Sequence, residues 1–219
     1  MTTNTATPLP AAFSPIVLQA EGLCFGYPQR ELFNGLCVRI PPGVTLVRGG
    51  DGVGKTTLLR LLAGVVPPRA GALWINGVAL SAQPAGFRQQ VFWADPRSDV
   101  HDLLTPAHWF KTLPRRFPAF DGQVLDALVD GFGLTPHVDK PLYMLSTGSK
   151  RKVWLAAGFA SGATLTLLDE PFAALDKASI DLVLDCLHEA AGHPSRAWVV
   201  AGYEAPGDVR LASVIDLGN

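Results

Sequence analysis

One stretch, Gly49-Gly50-Asp51-Gly52-Val53-Gly54-Lys55-Thr56, constrains this chain more than any other. It fits the spacing G-x-x-x-x-G-K-[ST], and it stands between a β-rich run, Val44-Thr45-Leu46-Val47, and a helical apolar pattern from Lys55 to Leu62. A strand that turns through glycines into a helix leaves consecutive backbone N–H groups facing inward. The helix adds the positive end of its dipole, and the resulting concavity suits a phosphate. Lys55 is placed to reach the outer phosphates of a nucleotide, the Thr56 hydroxyl to ligate Mg²⁺, and Thr57 to complete the contacts of the loop.

Around this loop the chain divides into three parts. Ile16-Val17-Leu18, Cys37-Val38-Arg39-Ile40 and Val44 to Val47 read as short strands, and Ala72 to Leu80 as a hairpin turning at Asn76-Gly77. After a strand at Val91-Phe92-Trp93-Ala94 the pattern turns helical up to Ala160. Start signals stand at Thr105-Pro106, Asp121, Thr135-Pro136 and Ser146. Thr164 to Leu168 then reads as a buried strand, Ala178 to Ala191 as a helix ended by Gly192, Trp198 to Ala201 as a strand and Val214-Ile215 as a last one. The expectation is an α/β core with a helical lobe.

Only 17% of residues are charged, against about 25% in a typical domain. The best candidate for a membrane span, Val153 to Leu168, has 16 residues without a charge and is interrupted by Gly158, Ser161 and Gly162; a membrane span needs about 20. It reads as a helix followed by a strand. Net charge is -1, which supplies no basic footprint for nucleic acid. Met1 to Pro15 has neither a basic start nor an apolar core and reads as a loose tail rather than a signal peptide. Cys24, Cys37 and Cys186 are widely spaced and read as small buried hydrophobes.

The strand at Thr164 to Leu168 stops at Asp169-Glu170-Pro171. Beside a phosphate loop, two such carboxylates have a chemical meaning. Asp169 is expected to hold Mg²⁺, directly or through water, and Glu170 to orient or deprotonate the attacking water. Just upstream, Leu145-Ser146-Thr147-Gly148-Ser149 resembles the Leu-Ser-Gly-Gly-Gln signature of ATP-binding cassette (ABC) ATPases, and Ala174-Leu175-Asp176 stands at that family's D-loop position. The resemblance runs from Ile16 to about Leu217. It implies a P-loop NTPase core of mixed or parallel sheet with flanking helices, an N-terminal antiparallel β-subdomain, and a helical subdomain inserted over about residues 96–160 of an ATPase domain spanning 16–219. It also implies Tyr27 stacked on adenine and Ser146 and Gly148 meeting the γ-phosphate. The working unit it implies is a head-to-tail dimer with a second ABC ATPase subunit, docked on an integral membrane transporter subunit at the cytoplasmic face of the inner membrane. The small size and compact lobe are similar to the ATPase of the haem exporter for cytochrome c maturation. Separate-chain exporters are similar in Phe117-Pro118-Ala119-Phe120-Asp121 and in Ser149-Lys150-Arg151-Lys152.

Two positions depart from that family. Asp95 stands where a Gln touches Mg²⁺, although Gln89 and Gln90 lie upstream. Tyr203 stands where a His contacts the γ-phosphate; a tyrosine donates a hydrogen bond but cannot become cationic, and with a reference pKa of about 10 it is a poor proton carrier at neutral pH. These changes predict ATP hydrolysis slowed by roughly ten- to a thousandfold. They also leave open an ATP-binding regulatory or coupling module with weak or no hydrolysis. His188 and His193 are expected on the surface. The aromatics Trp93, Trp109, Phe110, Phe117 and Phe120, with Lys111, Arg115 and Arg116 among them, form either a lobe core or a groove for a helix of the membrane subunit.

Overall fold

The computed structural model describes residues 15–95 and 98–218. The tail expected over residues 1–15 therefore lies, Pro15 apart, outside the described residues, as do Pro96 and Arg97 at the entry to the helical lobe.

Two sheets carry the fold. One is antiparallel, with β2 (Arg30–Ile40), β1 (Leu18–Tyr27), β4 (Ala70–Ile75) and β5 (Val78–Ala79) side by side. The other is parallel, in the order β6 (Val91–Trp93), β7 (Leu165–Asp169), β8 (Ala197–Gly202), β3 (Gly43–Arg48) and β9 (Leu211–Asp216). Strands β3, β7 and β8 are buried on both faces, which is why they read as unbroken apolar runs. Asn76 and Gly77 have φ of 47° and 77°, the left-handed pair that a two-residue hairpin turn requires.

Strands β1 and β2 are much longer than the short strands expected from sequence. Their register slips near Gly22 and Gly35, and bulges of this kind break the alternation by which a strand is recognised.

The helices are α1 (Lys55–Leu62), α2 (Pro84–Gln89), α3 (Pro106–Phe110), α4 (Leu113–Arg116), α5 (Gly122–Gly131), α6 (Thr147–Ala160) and α7 (Lys177–Ala191). Helix α1 buries Leu58, Leu59, Leu61 and Leu62 in one apolar core with the antiparallel sheet and one face of the parallel sheet. A second core joins the lobe helices to α6, α7 and the other face. The uncharged run Val153 to Leu168 is thus the buried half of α6 followed by β7. No helix among the described residues is long and apolar enough to cross a membrane.

Three start signals act as read. Thr105 Oγ1 accepts from the His108 N–H at 3.1 Å, Asp121 Oδ1 from Gln123 and Val124 at 2.9 and 3.0 Å, and Ser146 Oγ from Ser149 at 3.1 Å. Thr135-Pro136 opens only a 3₁₀ turn, Thr135–His137, because Thr135 lies inside the turn and caps nothing. Helix α2 went unread because six residues with only Phe87 buried carry no period. We expect Asp121→Ala to lower stability to urea by about 1 kcal/mol and Asp121→Asn to cost little, since an amide oxygen still accepts from the helix N–H groups.

The cysteines divide. Cys37 is exposed, contrary to the expectation, whereas burial pushes the Cys186 thiol up to about 12, out of reach of thiolate chemistry.

Candidate active site

Register brings the site together. In the parallel sheet Arg48 lies beside Gly202, and Asp169 beside Ala201. The phosphate loop after β3, the carboxylates at the end of β7 and Tyr203 after β8 therefore share one edge, the carboxyl ends of the strands, where open α/β sheets bind ligands.

Gly54 leads the loop into α1 at φ 111°, and a Cβ there would come 3.0 Å from the Phe33 ring. The side chain of Lys55 is folded back, with Nζ donating to the carbonyls of Gly49 and Gly50 at 2.7 and 2.8 Å. The Thr56 hydroxyl donates to Asp169 Oδ2 at 2.7 Å, so two residues 113 positions apart present oxygens side by side. A cavity of about 330 Å³ opens here, walled by Asp51, Gly52, Gly54, Lys55, Thr56 and Thr57 together with Tyr27, Arg30, Leu32, Arg60 and Glu170. Tyr27 stands at the mouth, 46% exposed, with its hydroxyl 3.3 Å from Thr57 Oγ1 and its ring edge-on to Phe25.

Glu170 adopts φ +46°, a left-handed conformation rare for a residue with a side chain, while its N–H donates to Ala201 O at 2.9 Å. Ala174, just beyond, has φ +60°. From α6 Arg151 donates to Ala173 O and lies in the field of Glu170 and Asp169; burial lowers its pKa against those two carboxylates. Arg151 thus ties the helix behind Ser146 to the backbone that carries Glu170.

Other expected residues are placed differently. Asp95 is not part of the cavity wall, and its Oδ2 accepts from Arg60 Nη2 at 2.7 Å and Nε at 3.1 Å. A metal at Asp95 would have to compete with that guanidinium, which Asp95 in turn holds in its charged form. Arg60 was not singled out from the sequence, although it sits four residues after Thr56 and hence on the same helix face. Gln89 is exposed, and Gln90 accepts from Asn76 at 3.2 Å, so neither reaches the cavity.

Ser146 and Gly148 also lie outside this cavity. Ser146 Oγ is 3.0 Å from Ser149 Oγ, and a Cβ on Gly148 would come 2.4 Å from Ala174 O. Asp176 caps α7 at 2.9 Å to Ser179 N and pairs with Lys152 Nζ at 2.6 Å. The Lys152 ammonium, with the Ser179 N–H, holds its carboxyl well below the usual carboxylate range. Tyr203 donates its hydroxyl to Asp51, and its ring lies 4.3 Å from Lys55 Nζ. His188 is on the surface beside Asp208, and His193 organises the turn into β8 by accepting from Arg196 N at 3.0 Å.

The aromatic groove does not form. Trp109, Phe110 and Phe117 are 7%, 6% and 2% exposed and build the lobe core, and Arg116 turns back to the Val91 carbonyl at 3.2 Å. Among the described residues the exposed large apolar side chains of the lobe are instead Val100, Leu103, Val124, Tyr143 and Met144.

Residues 33–173 match the model of the ABC transporter family. The chain belongs to that family. It is an ABC ATPase, with the P-loop NTPase fold that the signature motifs implied. It is 36% identical over 188 residues to the cytochrome c biogenesis ATP-binding export protein CcmA of Pseudomonas savastanoi pv. phaseolicola, covering 85% of this chain and 87% of that protein. It is also 36% identical to the protein of the same name in Rhodospirillum rubrum, covering 82% and 78%. Among solved structures, an ATP-binding subunit of an ABC transporter superposes with a TM-score of 0.75 at 22% identity, covering 85% of this chain and 79% of the other. An ABC ATP-binding protein from Pyrococcus furiosus gives 0.72 at 21%, covering 91% and 96%. At that identity the structures speak for the fold alone.

Proposed function

We propose that this ABC ATPase is the motor subunit of an exporter whose membrane-spanning part is a separate chain, and that it hydrolyses ATP with Mg²⁺ as part of a head-to-tail dimer. The observation that carries the reading is the meeting of Thr56 and Asp169 at 2.7 Å on the wall of the phosphate cavity, with Glu170 on the same wall. A hydroxyl and a carboxylate are the hard oxygen donors that Mg²⁺ takes beside substrate phosphates.

Backbone N–H groups from Gly49 to Thr57 and the Lys55 ammonium bind the phosphates of ATP, and Tyr27 at the cavity mouth stacks on adenine. Thr56 and Asp169 hold Mg²⁺, which neutralises charge on the phosphates during transfer. Glu170, aimed by its left-handed backbone, accepts the proton of the attacking water. The signature residues Ser146 and Gly148 stand apart from the cavity of their own chain, which suits their closing the γ-phosphate held by a second subunit. Asp176 acts through the cap and the Lys152 pair that hold α7 beside that signature. Asp95 is placed to steer Arg60 rather than to hold the metal directly.

Export is what the names of the relatives say of those proteins, and their 36% identity supports carrying it over. The membrane partner fits the lobe surface at Val100, Leu103, Tyr143 and Met144. Backbone bonds from Tyr143 to Asp102 O at 3.0 Å and from Leu142 to Leu104 O at 2.9 Å set these two segments side by side. The ATPase then sits on the cytoplasmic face of the inner membrane.

The test is co-purification with the multi-span membrane protein encoded nearest the gene, followed by a phosphate-release assay. We expect a stable complex whose ATP turnover stops when EDTA removes Mg²⁺. Turnover indifferent to EDTA would remove the metal role of Thr56 and Asp169, and no turnover in the complex would sink the motor reading.

A further inference from the structure

Tyr203 follows the last residue of β8 and reaches back across the phosphate loop. Two contacts hold it there. Its hydroxyl donates to Asp51 Oδ1, and its ring covers Lys55 Nζ at 4.3 Å from the centroid. Lys55 also spends two of its donors on the Gly49 and Gly50 carbonyls and is only 6% exposed. The cation that has to meet the phosphates already holds two loop carbonyls and an aromatic ring of the protein itself. Asp51, the neighbouring acid of the loop, is tied to the same tyrosine.

These contacts compete with nucleotide. A phosphate oxygen at Lys55 has to replace the loop carbonyls and share the ammonium with, or displace, the ring. Moving the ring breaks the hydroxyl–carboxylate bond at Asp51, a charge-assisted bond stronger than a neutral one. Lys55 serves the outer phosphates of ATP and the terminal phosphate of ADP alike, so the penalty falls on both.

We propose that Tyr203 and Asp51 form a latch on Lys55 that holds the nucleotide-free phosphate loop closed, and that ATP and ADP must both open it. Tyr203 is then a positioning residue for Lys55, one that weakens nucleotide binding, instead of a contact to the γ-phosphate. The inference rests on the ATP-binding reading above.

Calorimetric titration of the full chain with ATP and with ADP, each with Mg²⁺, tests it. Tyr203→Phe keeps the ring over Lys55 and removes the bond to Asp51. We expect it to tighten ATP and ADP by the same factor, about five- to tenfold. Asp51→Ala removes the acceptor together with a negative charge near the phosphates, so it is used as a background: there the effect of Tyr203→Phe is expected to shrink to within about twofold, because the two residues act as one unit. Weaker ATP binding with ADP unchanged would overturn the latch and return Tyr203 to the γ-phosphate. Unchanged affinity for both nucleotides, or full additivity with Asp51→Ala, would overturn it too. Absence of nucleotide binding in the unmodified chain would instead overturn the ATP reading on which the latch stands. Matching thermal unfolding of Tyr203→Phe and the unmodified chain shows that any shift belongs to the loop.

Discussion

Glu170→Gln is expected to cut ATP turnover by about a hundredfold or more while leaving ATP affinity within about twofold, because an amide of the same shape keeps the geometry and cannot take a proton. The structure makes this a sharp test. The Glu170 backbone is held at φ +46° and its N–H is bonded to Ala201 O, so the side chain is delivered to the cavity by strands β7 and β8 and not by its own chemistry. A glutamine inherits that placement. Equal single-turnover rates for the two proteins would take Glu170 out of the proton-transfer role and leave positioning by the loop and metal as the source of rate.

Gly148→Ala is expected to be nearly as damaging, by a different route. The added Cβ would come 2.4 Å from the Ala174 carbonyl, a contact that only a backbone shift relieves. Ala174 already sits at φ +60°, and Arg151 clamps the adjacent Ala173 carbonyl, so the shift is transmitted to the segment leaving Glu170. A displacement near 1 Å at a catalytic group costs on the order of a hundredfold in rate. Nucleotide binding to the isolated chain should survive, since Gly148 is not part of the phosphate cavity. Turnover in the membrane complex therefore falls while ATP affinity of the single subunit holds; a matched loss of both would mean that the substitution simply unfolds the domain.

The sites that could be read in advance share a property: their meaning lies in local spacing. The loop Gly49 to Thr56 announces itself because the anion cradle is made by consecutive backbone groups. Thr105, Asp121 and Ser146 announce helix starts because a cap bonds an N–H two or three residues on. The run Leu165–Asp169 shows as a strand because a parallel strand is apolar on both faces. Membership of the ABC family could be named from such pieces, and the match over residues 33–173 agrees.

What stayed hidden depends on residues far apart in the chain. That Asp95 meets Arg60 follows from how β6 leads past α1. That Trp109, Phe110 and Phe117 fill a core instead of lining a groove follows from the packing of α3 and α4 under α6, and period alone cannot tell a buried aromatic from a docking one.

From its own order of residues, then, this chain announced a phosphate-binding pattern at Gly49–Thr56, acids at 169–170 that end a buried strand, and an α/β core with a helical lobe. Only the tertiary structure decided that Tyr203 closes on Asp51 and Lys55. Strand pairing, not sequence distance, sets Gly202 beside Arg48 and so swings the next side chain over the loop.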